Sequence, residues 1–447
     1  MSECLPHECE LHVHIGGCFH LEDLFDMGRE VYGDVDWALF QDAHDLVCPD
    51  TPVDLVDLFR TAVREDSPEA LRRHYIHGEA DGPDFERFMT KMNLMICLFR
   101  HWRDVLGRQS ELVRLIVDRH RAEGLRHVEY RAMYSGGAGA DPDGFLSFHR
   151  ANAQIFRSAS GAGFNANYII SVPRWEPQVG YGLVRRLLAD NPELRDTIVG
   201  LDFCNVEEGY PPKTARAVFE RLRIDNKADL QQNIEVVYHV GEMYFDKSLE
   251  SAVRWCHEAG QLGARRIGHA IALGLDPEAS LGRRPGAHET EIVSERLDQI
   301  DYDLRHAEAL SARGVTIDEI GLEQEQEQLR SKDKRAAIRR PYSFDRIAEI
   351  RRRQDFALSA LEQLGTVIEI CPTSNRVLGG VTDPTQHSMH RLLASDVDVV
   401  IGADDPGIFD STLADEVDWV RTHSGLDPDA LNQRLGDPMR FCLRPPN

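Results

Sequence analysis

Residues 9–14 read Cys-Glu-Leu-His-Val-His, and residues 398–405 read Asp-Val-Val-Ile-Gly-Ala-Asp-Asp. Both begin with a short apolar run that predicts a β-strand, the first and the last of this chain. His12 and His14 lie two residues apart and therefore point to the same side of their strand. Two imidazoles from one strand end and a carboxylate from another can meet on one metal ion. The two stretches therefore indicate a metal site that joins the first strand to the last.

Eight short runs rich in β-branched and apolar residues recur along the chain, and helical stretches separate them. The helix predicted over residues 110–124 shows the pattern, with apolar residues at 112, 115, 116 and 117 on one side and Gly124 at its end. Alternating strands and helices predict right-handed βαβ units in a parallel sheet, and eight such units close into a (β/α)₈ barrel of the TIM type. The predicted strands are residues 9–14, 127–133, 165–172, 197–203, 234–239, 265–269, 367–371 and 398–402.

Two long insertions account for the remaining length of the chain. Residues 19–110, between the first and second strands, carry apolar residues at helical spacing and predict a helical cap over the barrel mouth, where lids form. His20, at the start of this cap, is interpreted as a helix-start residue and not as a metal ligand. Residues 276–357, between the sixth and seventh strands, are dense in charge and predict solvated helices, with an interface for homo-oligomers as the alternative. Residues 1–447 are thus predicted to form a single α/β domain.

Composition limits the classes of partner. The 447-residue chain is 42% hydrophobic and carries a net charge of −24, and this acidity disfavours binding to nucleic acid. The first residues show neither the basic nor the apolar region of a signal peptide, and no apolar stretch approaches the ~20 residues that span a bilayer. The nine cysteines are scattered, as reduced thiols often are. We therefore expect a cytoplasmic protein that acts on a small molecule, with no membrane partner.

Polar or ionisable side chains stand at the C-terminal end of every predicted strand, where barrel enzymes place their catalytic groups. A single histidine at a strand end is more often structural than functional. Four histidines and two aspartates on one rim favour a functional site. The strand ends supply His12, His14, Arg131, Arg174, Asn205, His239, His269, Ser374, Asn375, Asp404 and Asp405.

Two strand ends carry a further arrangement. Glu242 follows His239 by three residues, and Gly241 between them lets the backbone turn tightly, so both side chains can face one cavity. His269 likewise follows Gly268. A hydrolytic metal site needs neutral imidazoles and a carboxylate for the ion, a base for water and an acid for the leaving group. The sequence supplies a candidate for each of these roles.

Four segments of the chain resemble the signature segments of the adenosine deaminase family and occur in that family's order. They are residues 10–14 (Glu-Leu-His-Val-His), 239–242 (His-Val-Gly-Glu), 266–269 (Arg-Ile-Gly-His) and 404–406 (Asp-Asp-Pro). Residues 127–131, 200–203 and 371–375 also match its pattern, so the resemblance spans the chain apart from the second insertion. It implies a barrel enzyme that hydrolytically deaminates adenosine or a related adenine nucleoside or nucleotide.

The resemblance also implies a role for each strand-end group. His269 would orient and deprotonate the water that attacks C6 of the adenine ring, and Glu242 would protonate N1. Asp405 would hydrogen-bond N7, and ammonia would leave an inosine-type product. The implied ligands of one zinc ion are His12, His14, His239 and Asp404.

Two positions differ from the family's pattern. Adenosine-specific members carry an aspartate that binds the ribose 5′-hydroxyl where this chain has Gly16. The glycine whose N–H meets N3 of the purine is Asn205 here, which keeps the N–H but changes the pocket wall. Because the missing carboxylate would repel a phosphate, we hypothesise that the sugar end accepts a 5′-phosphorylated nucleotide. The candidate phosphate partners are Arg131, Arg174 and Arg376.

Two other interpretations stay open. In one, the same barrel and metal hydrolyse a different amidine or amide bond, although Glu242 and Asp405 suit the N1 and N7 edges of a purine. In the other, the chain is a non-catalytic nucleoside-binding or signalling relative, although all the metal-site residues are present. Ligand type alone does not separate zinc from iron, cobalt or manganese. The apolar lid that the resemblance implies falls on Phe85, Phe88 and Met89.

Overall fold

The computed structural model describes residues 4–161, 163–230, 233–282 and 288–445. Eight of the ten strands in these ranges form one parallel sheet in the order β1-β2-β3-β4-β5-β6-β9-β10, and β7 pairs only with β8. The strands are β1 Cys9–His14, β2 His127–Met133, β3 Asn165–Pro173, β4 Ile198–Cys204, β5 Glu235–Val240, β6 Arg266–His269, β7 His288–Ile292, β8 Ala337–Pro341, β9 Val367–Ile370 and β10 Val399–Ile401.

The sheet closes between its last and first strands. The Asp404 N–H donates to the His12 carbonyl at 2.8 Å, and the His14 N–H donates to the Asp404 carbonyl at 2.9 Å. Val13 and Asp404 form a parallel bridge between these bonds. Backbone hydrogen bonding therefore continues from the end of β10 onto β1, and the predicted (β/α)₈ barrel is confirmed. The same bonds hold Asp404 beside the two histidines.

Helices connect the barrel strands, and α1 to α5 occupy the region predicted as a cap. The His20 N–H donates to Asp23 at 2.7 Å immediately before α1, as a helix-start residue does. No helix in the described ranges has the length and apolarity needed to cross a bilayer. The helices are α1 Leu21–Gly28, α2 Ala38–Val47, α3 Leu55–Glu65, α4 Glu69–Tyr75, α5 Phe85–Arg100, α6 Gln109–Ala122, α7 Pro142–Ala159, α8 Pro177–Asp190, α9 Arg216–Ala228, α10 Leu249–Leu262, α11 Ile271–Gly274, α12 Pro277–Gly282, α13 Val293–Arg305, α14 Ala307–Ala312, α15 Glu319–Arg330, α16 Phe344–Leu364, α17 Pro372–Val377, α18 Met389–Ala394, α19 Pro406–Phe409, α20 Leu413–His423 and α21 Pro428–Leu435.

The second insertion differs from its prediction in two ways. It is not wholly helical, because β7 and β8 form an antiparallel pair within it. Its charged residues are also not all solvated, because Arg254 of α10 donates to buried Glu295 of α13 at 2.5 Å. Arg353 of α16 donates to buried Asp303 at 2.5 and 3.0 Å. Buried ion pairs therefore tie the insertion to the barrel helices, and its use as an oligomer interface stays a prediction.

A buried charged cluster lies inside the barrel beneath the strand ends. Glu369 of β9 accepts hydrogen bonds from Arg131 and Arg266, both at 2.6 Å, and lies 2.8 Å from Nδ1 of His12. All four side chains are fully buried. Burial alone would raise the pKa of Glu369, but the two guanidinium groups and the imidazole hold that pKa well below its usual value. The core therefore contains an ionised carboxylate that is fully paired.

Glu369→Gln is expected to lower the free energy of unfolding by about 3–5 kcal/mol, because Arg131 and Arg266 would then lose a buried counter-charge. Urea denaturation followed by circular dichroism measures the change. Glu362→Gln, on an exposed position of α16, is the matched control and should alter stability by less than about 0.5 kcal/mol. Equal stability of the two variants would contradict a role for Glu369 in holding the core.

Candidate metal centre and active site

Side chains from β1, from β5 and from the residues after β10 converge at the C-terminal mouth of the barrel. The Oδ1 atom of Asp404 lies 3.3 Å from Nε2 of His12 and 3.4 Å from Nε2 of His14. Nε2 of His14 lies 3.1 Å from Nε2 of His239. The structure therefore brings together all four residues that the resemblance implied as metal ligands.

These separations fit a tetrahedral metal site. Bonds of about 2.0–2.2 Å to a central ion place tetrahedral ligand atoms roughly 3.3–3.6 Å apart, close to the distances observed. Nε2 of His12 is buried and has no hydrogen-bond partner in the described ranges. Burial lowers the pKa of His14 well below its usual value and that of His239 to about 4, so both are neutral, as metal ligands must be. The residues present thus fit a divalent ion.

His12 differs from the other two imidazoles in its surroundings. Burial opposes a charge on its ring, but Glu369 and Asp404 outweigh that effect and raise its pKa to about 9. A cation at this imidazole, whether a proton or a metal ion, is therefore favoured by the two carboxylates that flank it. This is the electrostatic setting in which an ion displaces a proton from its ligand.

A second layer of hydrogen bonds orients three of the imidazoles. Each uses its Nδ1 atom on a buried oxygen, which directs Nε2 towards the barrel mouth. The pairs are His12 with Glu369 at 2.8 Å, His239 with Asp202 at 2.9 Å, and His269 with Asn375 at 3.0 Å. Sequence reasoning gave no role to Glu369 or Asp202. The sequence feature that could have indicated these roles is an acidic residue inside an apolar strand, as in Val-Ile-Glu-Ile at 367–370 and Gly-Leu-Asp-Phe at 200–203.

The backbone is strained where it delivers these groups. Asn205, His269, Ala270 and Asp404 have φ values of 72°, 64°, 47° and 62°, in the left-handed region. Such a conformation costs a non-glycine residue about 1–3 kcal/mol and is retained where the surrounding structure imposes it. Asn205 follows β4, His269 ends β6 with Ala270 after it, and Asp404 follows β10, all at the mouth of the barrel. Strain is therefore concentrated at the candidate site.

His269 and Glu242 lie beside the four ligands. Nε2 of His269 is 4.0 Å from Oδ2 of Asp404, and Oε2 of Glu242 is 3.6 Å from the same nitrogen. His269 also forms, with His12, His239 and Asp404, a group whose possible ligand atoms lie within 4.8 Å of one another. We assign it the position next to the ion, because its distance from Asp404 is longer than those of His12 and His14. Burial raises the pKa of Glu242, so this carboxyl can hold a proton. A base and an acid thus face each other at the edge of the metal centre.

A glycine turn fixes the position of Glu242. Gly241 has a φ of 71°, and its N–H donates to Oε1 of Glu207 at 3.0 Å. The Met243 N–H donates to the other oxygen of Glu207 at 3.2 Å. Both neighbours of Glu242 are therefore held by one buried carboxylate. The predicted tight turn after β5 is present.

Asp405 packs against a glycine on the neighbouring loop. A Cβ atom at Gly17 would lie 1.8 Å from Oδ1 of Asp405, so the close approach requires glycine. This oxygen is buried and, in the described part of the chain, lacks a hydrogen-bond partner. Burial raises the pKa of Asp405 well above its usual value, and the charges of Asp404 and Glu242 add to the effect. A protonated Asp405 can donate a hydrogen bond into the cavity.

A largely apolar cavity of about 180 Å³ opens onto the site. One face of α5 forms its roof, with side chains at the three- and four-residue spacing of a helix face. The predicted lid residues are among them. The α5 residues that line the cavity are Phe85, Phe88, Met89, Met92, Met95, Ile96, Phe99 and Arg100.

The structure separates the predicted substrate-binding residues into two groups. Gly16 and Asn205 line the cavity. A Cβ atom at Gly16 would meet only the sulfur of Met92, at 3.6 Å, so packing does not require glycine there. Arg174 is not among the described lining residues; it donates to the His239 carbonyl at 2.7 Å and to the Asn205 carbonyl at 3.4 Å. The geometry therefore does not support its predicted contact with a substrate, and Arg174 instead braces the ends of β4 and β5.

The other predicted phosphate partners are also engaged. Arg131 reaches the cavity wall but is held in the buried ion pairs beneath the site. Arg376 stacks over Trp419, 5.0 Å from the ring centre, and is not among the described lining residues. Sequence reasoning missed Arg100 and Arg103, which line the cavity. The sequence contained a signal for both, since they continue the helical spacing of the lid residues, Arg100 at the end of α5 and Arg103 in the π-helical turn after it.

A (β/α)₈ barrel with three imidazoles and a carboxylate at its mouth has the architecture of a metal-dependent barrel hydrolase. The family model for adenosine deaminase matches residues 40–284 and 345–441, more than half of the chain. The chain therefore belongs to the adenosine deaminase family. The residues outside the match are 1–39, which include His12 and His14, 285–344, which make up most of the second insertion, and 442–447.

Two curated relatives match short segments of the chain. The aminodeoxyfutalosine deaminase of Acidothermus cellulolyticus is 32% identical over 74 residues, which cover 17% of this chain and 20% of that protein. The adenine deaminase of Rhizobium rhizogenes is 38% identical over 72 residues, which cover 16% of this chain and 22% of that protein. The matched segments thus span only about a fifth of these relatives.

Two solved structures share the fold over almost the whole chain. The N6-mAMP deaminase of Arabidopsis aligns with a TM-score of 0.56 and 13% identity, covering 98% of this chain and 94% of that one. An amidohydrolase of Burkholderia ambifaria, solved with bound zinc, aligns with a TM-score of 0.53 and 14% identity, covering 98% of this chain and 86% of that one. At this identity the likeness concerns the fold.

Gly17→Ala is expected to lower the free energy of unfolding by roughly 1–3 kcal/mol, because the added methyl group would displace the buried Asp405 side chain. Gly16→Ala is the matched control at the neighbouring position. Its methyl group meets only an ordinary contact, so the change should stay within about 0.5 kcal/mol. Chemical denaturation of both variants measures the difference, and equal losses would contradict the close approach of Gly17 to Asp405.

Proposed function

We propose that this protein is a zinc-dependent aminohydrolase that converts an adenine nucleoside or nucleotide to its inosine-type product and ammonia. One observation carries the proposal: ligand atoms of His12, His14, His239 and Asp404 converge, with neighbouring distances of 3.1–3.4 Å, beside a paired acid and base, Glu242 and His269. Family membership and relatives named as adenine or adenosine deaminases support it.

Zinc is the ion that the donor set suits best. Three imidazole nitrogens and one carboxylate oxygen that converge on one point match the zinc preference for nitrogen and oxygen ligands. When bound, a zinc ion supplies Lewis acidity and lowers the pKa of water towards neutrality. Structural neighbours include an amidohydrolase solved with zinc, which supports the same choice. The residues that would hold the ion are His12, His14, His239 and Asp404.

The hydrogen bonds of His269 determine its part in the reaction. The side-chain oxygen of Asn375 can only accept, so Nδ1 of His269 carries the proton and Nε2 is free to accept one. Nε2 faces the ion site and takes the proton of the attacking water. Burial raises the pKa of Glu242, which suits this carboxyl to the role of the acid that gives a proton to N1 as water adds at C6. The amino group then takes the proton held by His269 and leaves C6 as ammonia, while the new hydroxyl returns a proton to Glu242 and the ring regains its conjugation.

Recognition of the purine follows from the protonation of Asp405. N7 of adenine only accepts hydrogen bonds, so its partner must donate. The raised pKa of Asp405 provides that donor. The Asn205 backbone N–H is proposed to meet N3, as the family pattern implies. Donors matched to N1, N3 and N7 favour a purine over the alternative of a simple amide substrate.

The sugar end of the cavity lacks the carboxylate of adenosine-specific relatives, because that position is Gly16. We retain the hypothesis that a 5′-phosphorylated nucleotide is accepted there, now without Arg174 or Arg376 as its partner. Solved neighbours in complex with IMP and GMP support a nucleotide-sized ligand. Ammonia release from a panel of adenine, adenosine, AMP and unrelated amides is the experiment that tests the proposed activity.

Asp404→Ala should remove both bound zinc and detectable ammonia release, because the only carboxylate among the four ligands is lost. Elemental analysis of the purified variant measures the metal and a coupled assay measures the ammonia. Asp396→Ala, at an exposed position, should keep both. Full activity in Asp404→Ala would show that the four side chains do not hold the required ion.

Glu242→Gln should retain bound zinc but lower turnover by about 10²–10⁴-fold, since an amide cannot donate the proton that N1 receives. Comparison of kcat with metal content separates this effect from loss of the ion. Glu208→Gln, at an exposed position of the preceding loop, is the matched control. A near-normal rate would remove Glu242 from the role of proton donor.

Gly16→Asp should lower kcat/KM for AMP relative to adenosine by about tenfold, which corresponds to about 1.4 kcal/mol. The Cβ atom of the new side chain makes only an ordinary contact with Met92, and its carboxylate repels the phosphate. Gly16→Asn has the same shape without the charge and should leave the ratio nearly unchanged. An unchanged ratio in both variants would contradict a phosphate bound beside Gly16.

A further inference from the structure

A second cavity, of about 250 Å³, lies against another face of α5. Arg87, Thr90 and Lys91 line this rear cavity, and their spacing of three and four residues places them on one face of the helix. Phe88 and Met92 belong to the face that roofs the active-site cavity. The helix α5 is therefore a wall of both cavities, and the rear cavity contains none of the groups proposed to act in the reaction.

The charged groups of the rear cavity are mostly cations. Its described lining includes Arg73, Arg87 and Lys91 but a single acid, Asp81. Asp81 is already paired, since it accepts from Lys91 at 2.8 Å and from the Gly78 N–H at 2.9 Å. Three cations and one acid give this lining a net charge of +2 in a chain whose net charge is −24. The rear cavity therefore favours a ligand with two negative charges.

Both arginines have donors left for a ligand. Arg73 donates from Nε to Nε2 of His74 at 2.7 Å, and the described part of the chain offers no protein partner to its two Nη atoms. Nε of Arg87 is buried without a hydrogen-bond partner among the described residues, and it lies 3.8 Å from Oδ2 of Asp84. The Asp84 side chain is 41% exposed. An ion pair this long and this exposed is weak enough for a bound anion to replace it.

Two buried histidines add polar groups to the rear cavity. Burial, followed by the charge of Arg73, lowers the pKa of His74 to about 4, so this ring is neutral. Because Nε2 of His74 accepts from Arg73, the ring proton is on Nδ1, which can donate to a ligand. His44 is only 6% exposed, and its Nδ1 atom has no partner in the ranges that the structure describes. A buried polar atom in this state is satisfied when a polar ligand or water enters the cavity.

Three helices of the cap supply these groups. His44 lies on α2, Arg73 and His74 lie on α4, and Arg87 and Lys91 lie on α5. An anion bound between them would join the three helices through charge-assisted hydrogen bonds. Since α5 also roofs the active-site cavity, the same anion would restrain the roof.

We propose that the rear cavity binds a small dianionic oxyanion of the phosphate class through Arg73, Arg87 and the Nδ1–H group of His74. Guanidinium groups and neutral N–H donors both suit phosphate oxygens. Lys91 contributes its charge, because the Ile76 carbonyl and Asp81 already take two of its donors. This site is separate from the substrate phosphate proposed beside Gly16, and it does not depend on the proposed deamination.

The partly exposed thiol of Cys48 provides a measurement inside the rear cavity. Cys48 lines this cavity, and Cys442, the other cysteine that is not buried, does not. The test follows alkylation of both thiols by iodoacetamide, a neutral reagent, through peptide mass spectrometry of the zinc-loaded protein at constant ionic strength. Near saturation, inorganic phosphate should slow the alkylation of Cys48 about tenfold, because an occupied cavity excludes the reagent. Cys442 should react at an unchanged rate, and acetate at the same concentration should protect neither thiol.

Variants at the two arginines connect this protection to the proposed contacts. Arg73→Gln and Arg87→Gln should each raise the half-maximal phosphate concentration about tenfold, since hydrogen bonds to charged groups contribute that much. Both positions are accessible to solvent, so the variants are expected to fold. Arg64→Gln, on α3 with a side chain that is 71% exposed, is the matched control and should leave the protection unchanged.

The outcomes either support the site or overturn it. Equal alkylation of Cys48 with and without phosphate, equal slowing of Cys442, or protection that both arginine variants retain would overturn it. Equal protection by acetate would overturn the requirement for a dianion. Ribose 5-phosphate distinguishes the two sources of the group: protection at lower concentrations than inorganic phosphate would identify a phosphate ester, protection by inorganic phosphate alone would identify the free ion, and both support the site. Because alkylation requires no turnover, these results do not depend on whether the protein deaminates any compound.

Discussion

One buried carboxylate, Glu369, joins the core of the barrel to its metal centre. It pairs with Arg131 and Arg266 inside the barrel and orients His12 at the rim. Because all of these groups are removed from water, each is stable only while the others are in place. The direction of the His12 imidazole therefore depends on the closed sheet that delivers these side chains from four separate strands. The metal site is therefore expected to form only when the barrel core folds.

The sequence predicted the barrel well because its strands follow the simplest physical rule. Apolar residues recur along each of them, although several strands also bury charged side chains, and helices separate them. The pair β7–β8 was missed because its strands are charged: Glu289 and Glu291 are fully buried and reach Arg340 and Arg346. Burial through ion pairs leaves no apolar pattern for sequence reasoning to detect. Leu115 shows the converse, since its helical spacing predicted a core position but the side chain is 40% exposed.

Sequence motifs predicted the functional groups at the rim, but they did not predict the buried residues that orient these groups. The geometry of His-x-His at the end of a strand can be predicted from local sequence alone, because alternation along a strand puts both rings on one side. The bond from His12 to Glu369 joins residues 357 positions apart, so it depends on the register of the closed barrel. Position at a strand end likewise does not tell whether a side chain faces the cavity. Arg174 turns to the backbone, while Arg100, on a helix of the cap, reaches the cavity.

The account requires a single ion bound through imidazole and carboxylate alone. X-ray absorption at the zinc edge of the zinc-loaded protein measures this directly. The predicted result is a shell of nitrogen and oxygen atoms at about 2.0–2.2 Å that includes three imidazole rings. A sulfur atom at about 2.3 Å would contradict the account, because it would place the ion on the neighbouring cluster of His14, Asp202 and Cys204.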